Sequence, residues 1–354
     1  MLTIGKKPGN KATPMIAHRR GPVLARLTRP VGSATTLAVI ADPHVTLRAE
    51  GTWKVLHRAE ERFRSAIANA NRLDVDGIVL LGDIGDSEHP KSLERAEQVT
   101  KKANSPVFAV PGNHDVSHQH PAQALERFTR RFMPGSLPYC RRIGSVNFVG
   151  LNSASNAAGK PVGASGGAVS ADQLHWLDDT LSTLDMPIVA LHHPVASVAN
   201  ELDELPAEDC YRLENAAALA EVLRAHDVPL VLSGHLHWPI ATRLGSTAHV
   251  IAPASCSFPQ SSLLIHIEPR ETTITMTALT DRAGIEEAYR HARQGGQRSR
   301  GLAESIDQGY FEEFPQIDET KQPAAWTHVK SRAEGSSKRI ATESTETRSL
   351  EFGR

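Results

Sequence analysis

The chain has 354 residues, 40% of them apolar and 22% charged, with a formal net charge of −1. That length supports one large domain or two smaller ones, and the balance excludes collagen-like, disulfide-scaffold and wholly disordered classes. A near-neutral chain has no general attraction to nucleic acid or to an anionic membrane, and no stretch reaches the roughly 18 consecutive apolar residues of a membrane span.

Residues 1–30 hold Lys6, Lys7, Lys11, Arg19, Arg20, Arg26 and Arg29 without one acidic residue, so residues 1–35 read as a basic, flexible leader. An export signal needs an unbroken apolar run after its basic part, and Gly21, Pro22, Arg26 and Arg29 interrupt the only candidate. The same interruption argues against taking Arg19-Arg20 as a twin-arginine signal. Three widely spaced cysteines, Cys140, Cys210 and Cys256, make neither a disulfide framework nor a CxxC metal pair. They fit a reducing cytoplasm and read as small buried hydrophobes.

From residue 36 short apolar runs alternate with amphipathic stretches, the α/β pattern of parallel strands joined by crossover helices. The predicted buried strands are Leu37 to Ala41, Gly77 to Leu81, Val107 to Val110, Val146 to Gly150, Ile188 to Leu191 and Leu230 to Ser233. Helical spacing of apolar and charged residues predicts crossovers over Trp53 to Leu73, Lys91 to Ala103, Ala122 to Phe132, Ala171 to Leu184 and Asn215 to His226. Ser170 ahead of Ala171-Asp172-Gln173 has the form of a capping box. After residue 240 the runs His249 to Ala252, Leu263 to Glu268 and Thr273 to Ala278 alternate and lie close together, as in an antiparallel meander. The domain is expected to span residues 36–292. Residues 293–354 lose periodicity and read as a polar, mostly disordered tail, with Tyr310, Phe311, Phe314 and Trp326 as its few docking candidates.

Every cluster of metal-ligating residue types falls just past the C-terminal end of a predicted strand, the edge at which open α/β sheets bind ligands. Asp42-Pro43-His44 follows the first strand, Gly82-Asp83-Ile84-Gly85-Asp86 the second, and Gly112-Asn113-His114-Asp115 the third. His192-His193-Pro194 and Gly234-His235-Leu236-His237 follow the runs ending at Leu191 and Ser233. Singly, each of these is a common turn; in this order, at five strand ends, they describe a site.

The ordered set resembles the calcineurin-like metallophosphoesterase superfamily, with its D-x-H, G-D-x-x-D, G-N-H-[DE], single His and G-H-x-H motifs, over roughly residues 36 to 280. The resemblance implies a four-layer β-sandwich of two mixed sheets flanked by helices, with the late strands completing the second sheet. It also implies two metal ions, one held by Asp42, His44 and His237, the other by Asn113, His192 and His235, with Asp83 between them. Mixed oxygen and nitrogen donors suit first-row ions such as Mn, Fe or Zn. A hydroxide bridging the ions is the nucleophile such a pair provides. Of the two adjacent histidines His192 is taken as the ligand, because it stands two residues before Pro194 and neighbouring side chains in an extended segment point apart. His193 then lies behind the ligands or faces substrate. His114 is expected to face the phosphoryl group, oriented by Asp86.

The expected function is phosphoester hydrolysis on a small substrate, with no nucleic acid or membrane partner. Asp209-Cys210-Tyr211-Arg212-Leu213-Glu214-Asn215, and Gln173-Leu174 with Trp176-Leu177, resemble segments of the class III cyclic-nucleotide phosphodiesterases and related glycerophosphodiester-cleaving enzymes. The second of these reads equally as core packing. Val195 stands where that branch usually has a second proline, a departure that bears on cyclic AMP itself more than on diester cleavage. Phosphomonoesterase and nuclease are the alternatives on the same site. A basic track for DNA is absent outside the leader. A non-catalytic scaffold would be expected to lack ligands, and here every ligand position is filled.

Overall fold

The computed structural model describes residues 34–296 apart from 48–52, 87–88, 117–118, 134, 197–211 and 269–270, together with 23–27, 299–300 and 303. Most of the leader, Cys210 and the aromatic residues of the tail lie outside the described residues.

Twelve strands form two mixed sheets. The first is ordered β1 (Val23–Leu27), β12 (Thr272–Ala278), β11 (Ser261–Ile267), β2 (Thr35–Ile40), β3 (Gly77–Leu80), β4 (Val107–Ala109). Its β2, β3 and β4 are parallel, and the other three pair antiparallel. The second is ordered β5 (Tyr139–Ile143), β6 (Val146–Gly150), β7 (Ile188–Ala190), β8 (Leu230–Ser233), β10 (Thr247–Ile251), β9 (Ile240–Leu244). Its four central strands are parallel and its two edge strands antiparallel.

Alternation explains why the central strands read as unbroken apolar runs. In β6, β7 and β8, Phe148, Ile188, Ala190, Leu230 and Leu232 join the core between the sheets. Val149, Val189 and Val231 join a separate cluster with Leu177 and Leu181 of α4 (Ala171–Leu181) and Leu219 and Leu223 of α5 (Ala216–Ala225). Strands buried on both faces carry apolar residues at every position. Helices α1 (Ala59–Arg72) and α2 (Pro90–Thr100) supply the crossovers of the first sheet, and α3 (Pro121–Phe132) leads from β4 to β5 of the second. Ser170 caps α4 by accepting from Gln173 N at 3.3 Å. The capping box stays half made, because the Gln173 side chain clamps the backbone of Asn152 instead, at 2.9 Å to both its N and its O.

Several expectations need correction. The late strands do not form one meander: β9 and β10 complete the second sheet, while β11 and β12 return to the first, where β11 pairs with β2 and β12 lies between β11 and β1. Val23–Leu27, read as leader, is the edge strand β1 paired with β12. The helix expected from Trp53 begins only at Leu56, as a short 3-10 turn that runs into α1. A further helix, α6 (Arg282–Gln294), runs past residue 292; Asp281 caps it by accepting from Gly284 N at 3.0 Å.

Candidate metal centre

The loops following β2, β3, β4, β7 and β8 converge on one buried cluster. Asp42, His44, Asp83, Asn113, His192, His235 and His237 are all buried there. The loops stay tied to one another past the strands. Asp42 N donates to Gly82 O at 3.2 Å, His44 N to Asp83 O at 2.9 Å, and Gly234 N to His192 O at 3.0 Å. Asp42, His44, Asp83, His235 and His237 have φ between 47° and 69°. This left-handed region is costly for side-chain-bearing residues, and such strain gathers where function demands it. Glycines leave the room: a Cβ on Gly112 would collide with Asp83 Oδ1, and one on Gly234 would stand 2.6 Å from Asp42 Oδ2.

The seven side chains fall into two groups that share Asp83. In the first, His44 Nε2 and His237 Nε2 are 3.2 Å apart, Asp42 Oδ1 is 3.3 Å from His237 Nε2, and Asp83 Oδ2 is 3.5 Å from His44 Nε2. In the second, His192 Nε2 lies 3.2 Å from Asn113 Oδ1, 3.1 Å from His235 Nδ1 and 3.4 Å from Asp83 Oδ1. Each oxygen of Asp83 therefore faces a different group. His192 continues the inward parity of Ile188 and Ala190, which places its ring toward the first sheet.

Residues 35–239 match the family model described as calcineurin-like phosphoesterase. The chain belongs to that family. It is 28% identical over 240 residues to a protein of Synechococcus sp. named "probable cyclic nucleotide phosphodiesterase", covering 67% of this chain and 85% of that one. It is 29% identical over 194 residues to the glycerophosphodiester phosphodiesterase GpdQ of Enterobacter lignolyticus, covering 52% and 66%. A dimetal phosphatase from Danio rerio shares the fold, with a TM-score of 0.55 at 18% identity over 71% of this chain and 98% of that one.

A calcineurin-like phosphoesterase is a phosphoric ester hydrolase, and its fold implies a dinuclear divalent metal site; the donor set here fits one. Three imidazoles turn Nε2 inward because Nδ1 is already engaged: in His192 by Leu81 O at 2.7 Å, in His237 by Ser257 Oγ at 2.8 Å, and in His44 by Asp86 Oδ1 at 3.0 Å. Such outer partners set the tautomer and aim of a ligating imidazole. Charge favours a cation too. Burial alone would raise the carboxyl pKa of Asp83, but the charges of His192 and His114 reverse this and hold it well below the usual range. Burial likewise opposes ionisation of Asp42, and the charge and hydrogen bond of His237 outweigh it. His44 is pushed down to about 3 by burial and then by the charge of Lys54, so it is neutral at working pH. Burial also acts to lower His192, yet Asp83 carries it up to about 9.

The structure separates the remaining site residues of this phosphoesterase. His114 is more open than the seven, at 36% side-chain exposure, with its backbone N donating to Asp83 Oδ1 at 2.8 Å. Its Nδ1 donates to the backbone carbonyl of Asp86 at 2.8 Å, while the Asp86 carboxylate is 3.8 Å away. Asp86 therefore orients His114 through its main chain; its carboxylate serves His44 and Lys54, whose Nζ is 3.1 Å from both Asp86 Oδ1 and His44 Nδ1. His193 is fully buried, with Nδ1 2.9 Å from Ser153 Oγ. Ser153 Oγ also accepts from the backbone N of His192 and His193, at 3.2 and 3.1 Å, which anchors the turn that presents His192.

Sequence reasoning missed Lys54, Trp53, Ser153 and Ser257. The Trp53 ring lies 4.7 Å from that of His237. Asp115 had a visible signal, the last position of GNHD. Buried, it accepts from the N–H groups of Ile84, Gly85 and Gly112 and so ties two of the ligand loops together.

Proposed function

We propose that Asp42, His44, Asp83 and His237 would hold one divalent ion and Asp83, Asn113, His192 and His235 a second, for hydrolysis of a small phosphodiester, a cyclic nucleotide or a related diester. The observation that carries this reading is Asp83, whose two oxygens each face a separate group of donors. The mixed oxygen and imidazole donors favour Mn, Fe or Zn. Two such ions, when bound, supply Lewis acidity and an ionised water as nucleophile, and clamp the attacking and leaving oxygens of an in-line displacement.

The chain's own residues do the rest. Asp86, Leu81 and Ser257 hold the imidazoles in the tautomer that turns Nε2 inward. His114, its Nδ1 fixed on Asp86 O, meets the phosphoryl group from the open side and carries a proton to the departing alkoxide. Lys54 holds the Asp86 carboxylate in line with His44. The diester preference is supported by the names of the Synechococcus and Enterobacter relatives. The cytoplasm is the proposed compartment, from cysteine usage; no described helix is long and apolar enough to cross a membrane.

A substrate panel on manganese- or zinc-reconstituted protein tests the reading. Cyclic nucleotides, glycerophosphodiesters and bis(p-nitrophenyl) phosphate are expected to turn over faster than p-nitrophenyl phosphate and single- or double-stranded DNA. A monoester or DNA preferred over every small diester of the panel would overturn it.

A further inference from the structure

Among the described residues, the groups of three metal-ligating side chains lie at the centre just described, with one exception: His57, Glu287 and His291. His57 sits in the 3-10 turn ahead of α1. Glu287 and His291 stand four residues apart on α6, so one turn of helix carries them on a common face. His57 Nε2 is 2.9 Å from Glu287 Oε1, the rings of His57 and His291 are 5.9 Å apart, and one ligand atom from each residue lies within 4.8 Å of the other two.

We propose that His57, Glu287 and His291 form a peripheral divalent-metal site for an ion of the zinc class, one that pins α6 to the segment carrying Trp53 and Lys54. Two imidazoles and a carboxylate are the donor set of open zinc sites, which complete their shell with water. His57 is exposed and the other two half-buried, so an ion reaches them from solvent. Bonds of about 2.0–2.2 Å require the three atoms to draw closer than they stand here, which accessible side chains achieve by changing rotamer. Arg58 opposes a cation, with Nε 3.7 Å from Glu287 Oε2. It approaches the other carboxylate oxygen, however, and has a nearer partner in Glu61 at 3.0 Å.

The site has a route to the catalytic end of the molecule. Gly295, at the C-terminal end of α6, packs so closely on Trp53 that an added Cβ would stand 2.5 Å from Trp53 Cβ. Trp53 in turn touches His237, and Lys54 reaches His44 and Asp86. An ion shared by His57 and α6 fastens both ends of this short segment.

Metal counting decides. The full chain, its His57→Ala form and its His291→Gln form are dialysed against buffered micromolar zinc, desalted and assayed by elemental mass spectrometry. Wild type is expected to hold one zinc equivalent more than either variant, while the variants keep the remaining zinc. Equal zinc content in all three overturns the site. Should a variant fold poorly, diethyl pyrocarbonate mapping of wild type gives the answer: zinc is expected to shield His57 and His291 and leave exposed His89 reactive. Unchanged labelling of His57 and His291 overturns it equally.

Discussion

The first sheet meets the seam mainly with oxygen, in Asp42, Asp83 and Asn113 beside the single imidazole of His44, whereas the second contributes imidazoles alone, His192, His235 and His237. Neither set would be comfortable buried alone. Two carboxylates without partners carry a heavy desolvation cost, and so would unpaired imidazoliums. Facing each other, they neutralise: Asp83 stays ionised and lifts His192 to about 9, while His44, on the carboxylate side, is driven down to about 3 by burial and then by Lys54. One residue type is thus neutral on one side of a single cluster and protonated on the other, and the groups that face each other across the sheets are the same ones proposed to bind metal.

The hardest blow to this arrangement is Asp83→Asn, which removes the carboxylate common to both groups. We expect loss of bound metal at both positions and of all measurable turnover. Retention of two metals per chain by elemental analysis would sink the shared-carboxylate reading. His114→Ala should lower kcat by about 10²- to 10³-fold, the range of a lost general acid, with metal content unchanged. A collapse of metal content in that variant would instead make His114 part of the binding set.

The contrast between His44 and His192 predicts a pH dependence. In metal-stripped protein His192 is protonated below about 9, and a metal takes only the neutral ring, so uptake near neutral pH releases its proton. Apparent affinity should fall about tenfold for each pH unit below 9 through this group. His44, neutral down to about 3, contributes no such slope. Titration calorimetry in buffers of different ionisation enthalpy reads the number of protons, and no buffer dependence at pH 7 would contradict the assignment. The smallest effect concerns the sheets away from the seam. Tyr139 of β5 donates to Ala109 O at the end of β4, 3.0 Å away and buried. Tyr139→Phe should cost about 1–2 kcal/mol in chemical denaturation by leaving that carbonyl unpaired, with activity intact.

Legibility followed burial and locality. The central strands could be recognised because both their faces are covered and most of their positions are apolar. β1, β5 and β9 went unseen for a shared reason: all three are edge strands, and each carries arginine, Arg26, Arg141 with Arg142, and Arg243. Charged residues on edges protect a sheet from stray pairing, and they erase the apolar run by which a strand is recognised. The meander failed because alternation marks a strand as half-buried without saying which of two sheets it joins.

For the site, the sequence alone determined the order of the candidate donors, since each sits one to four residues past a strand whose apolar run announces its end. It also favoured His192 over His193 as the candidate ligand, because side-chain direction in an extended segment is a local property. Tertiary structure decided what depends on which loops meet: that Asp86 holds His44 by its carboxylate and His114 only by its backbone, and that Lys54, Ser153 and Ser257 brace the imidazoles. Those partners come from loops and strand ends far apart in the chain. Their selection rests on distance across the seam and on the need to satisfy every buried polar group, neither of which leaves a periodic trace in sequence.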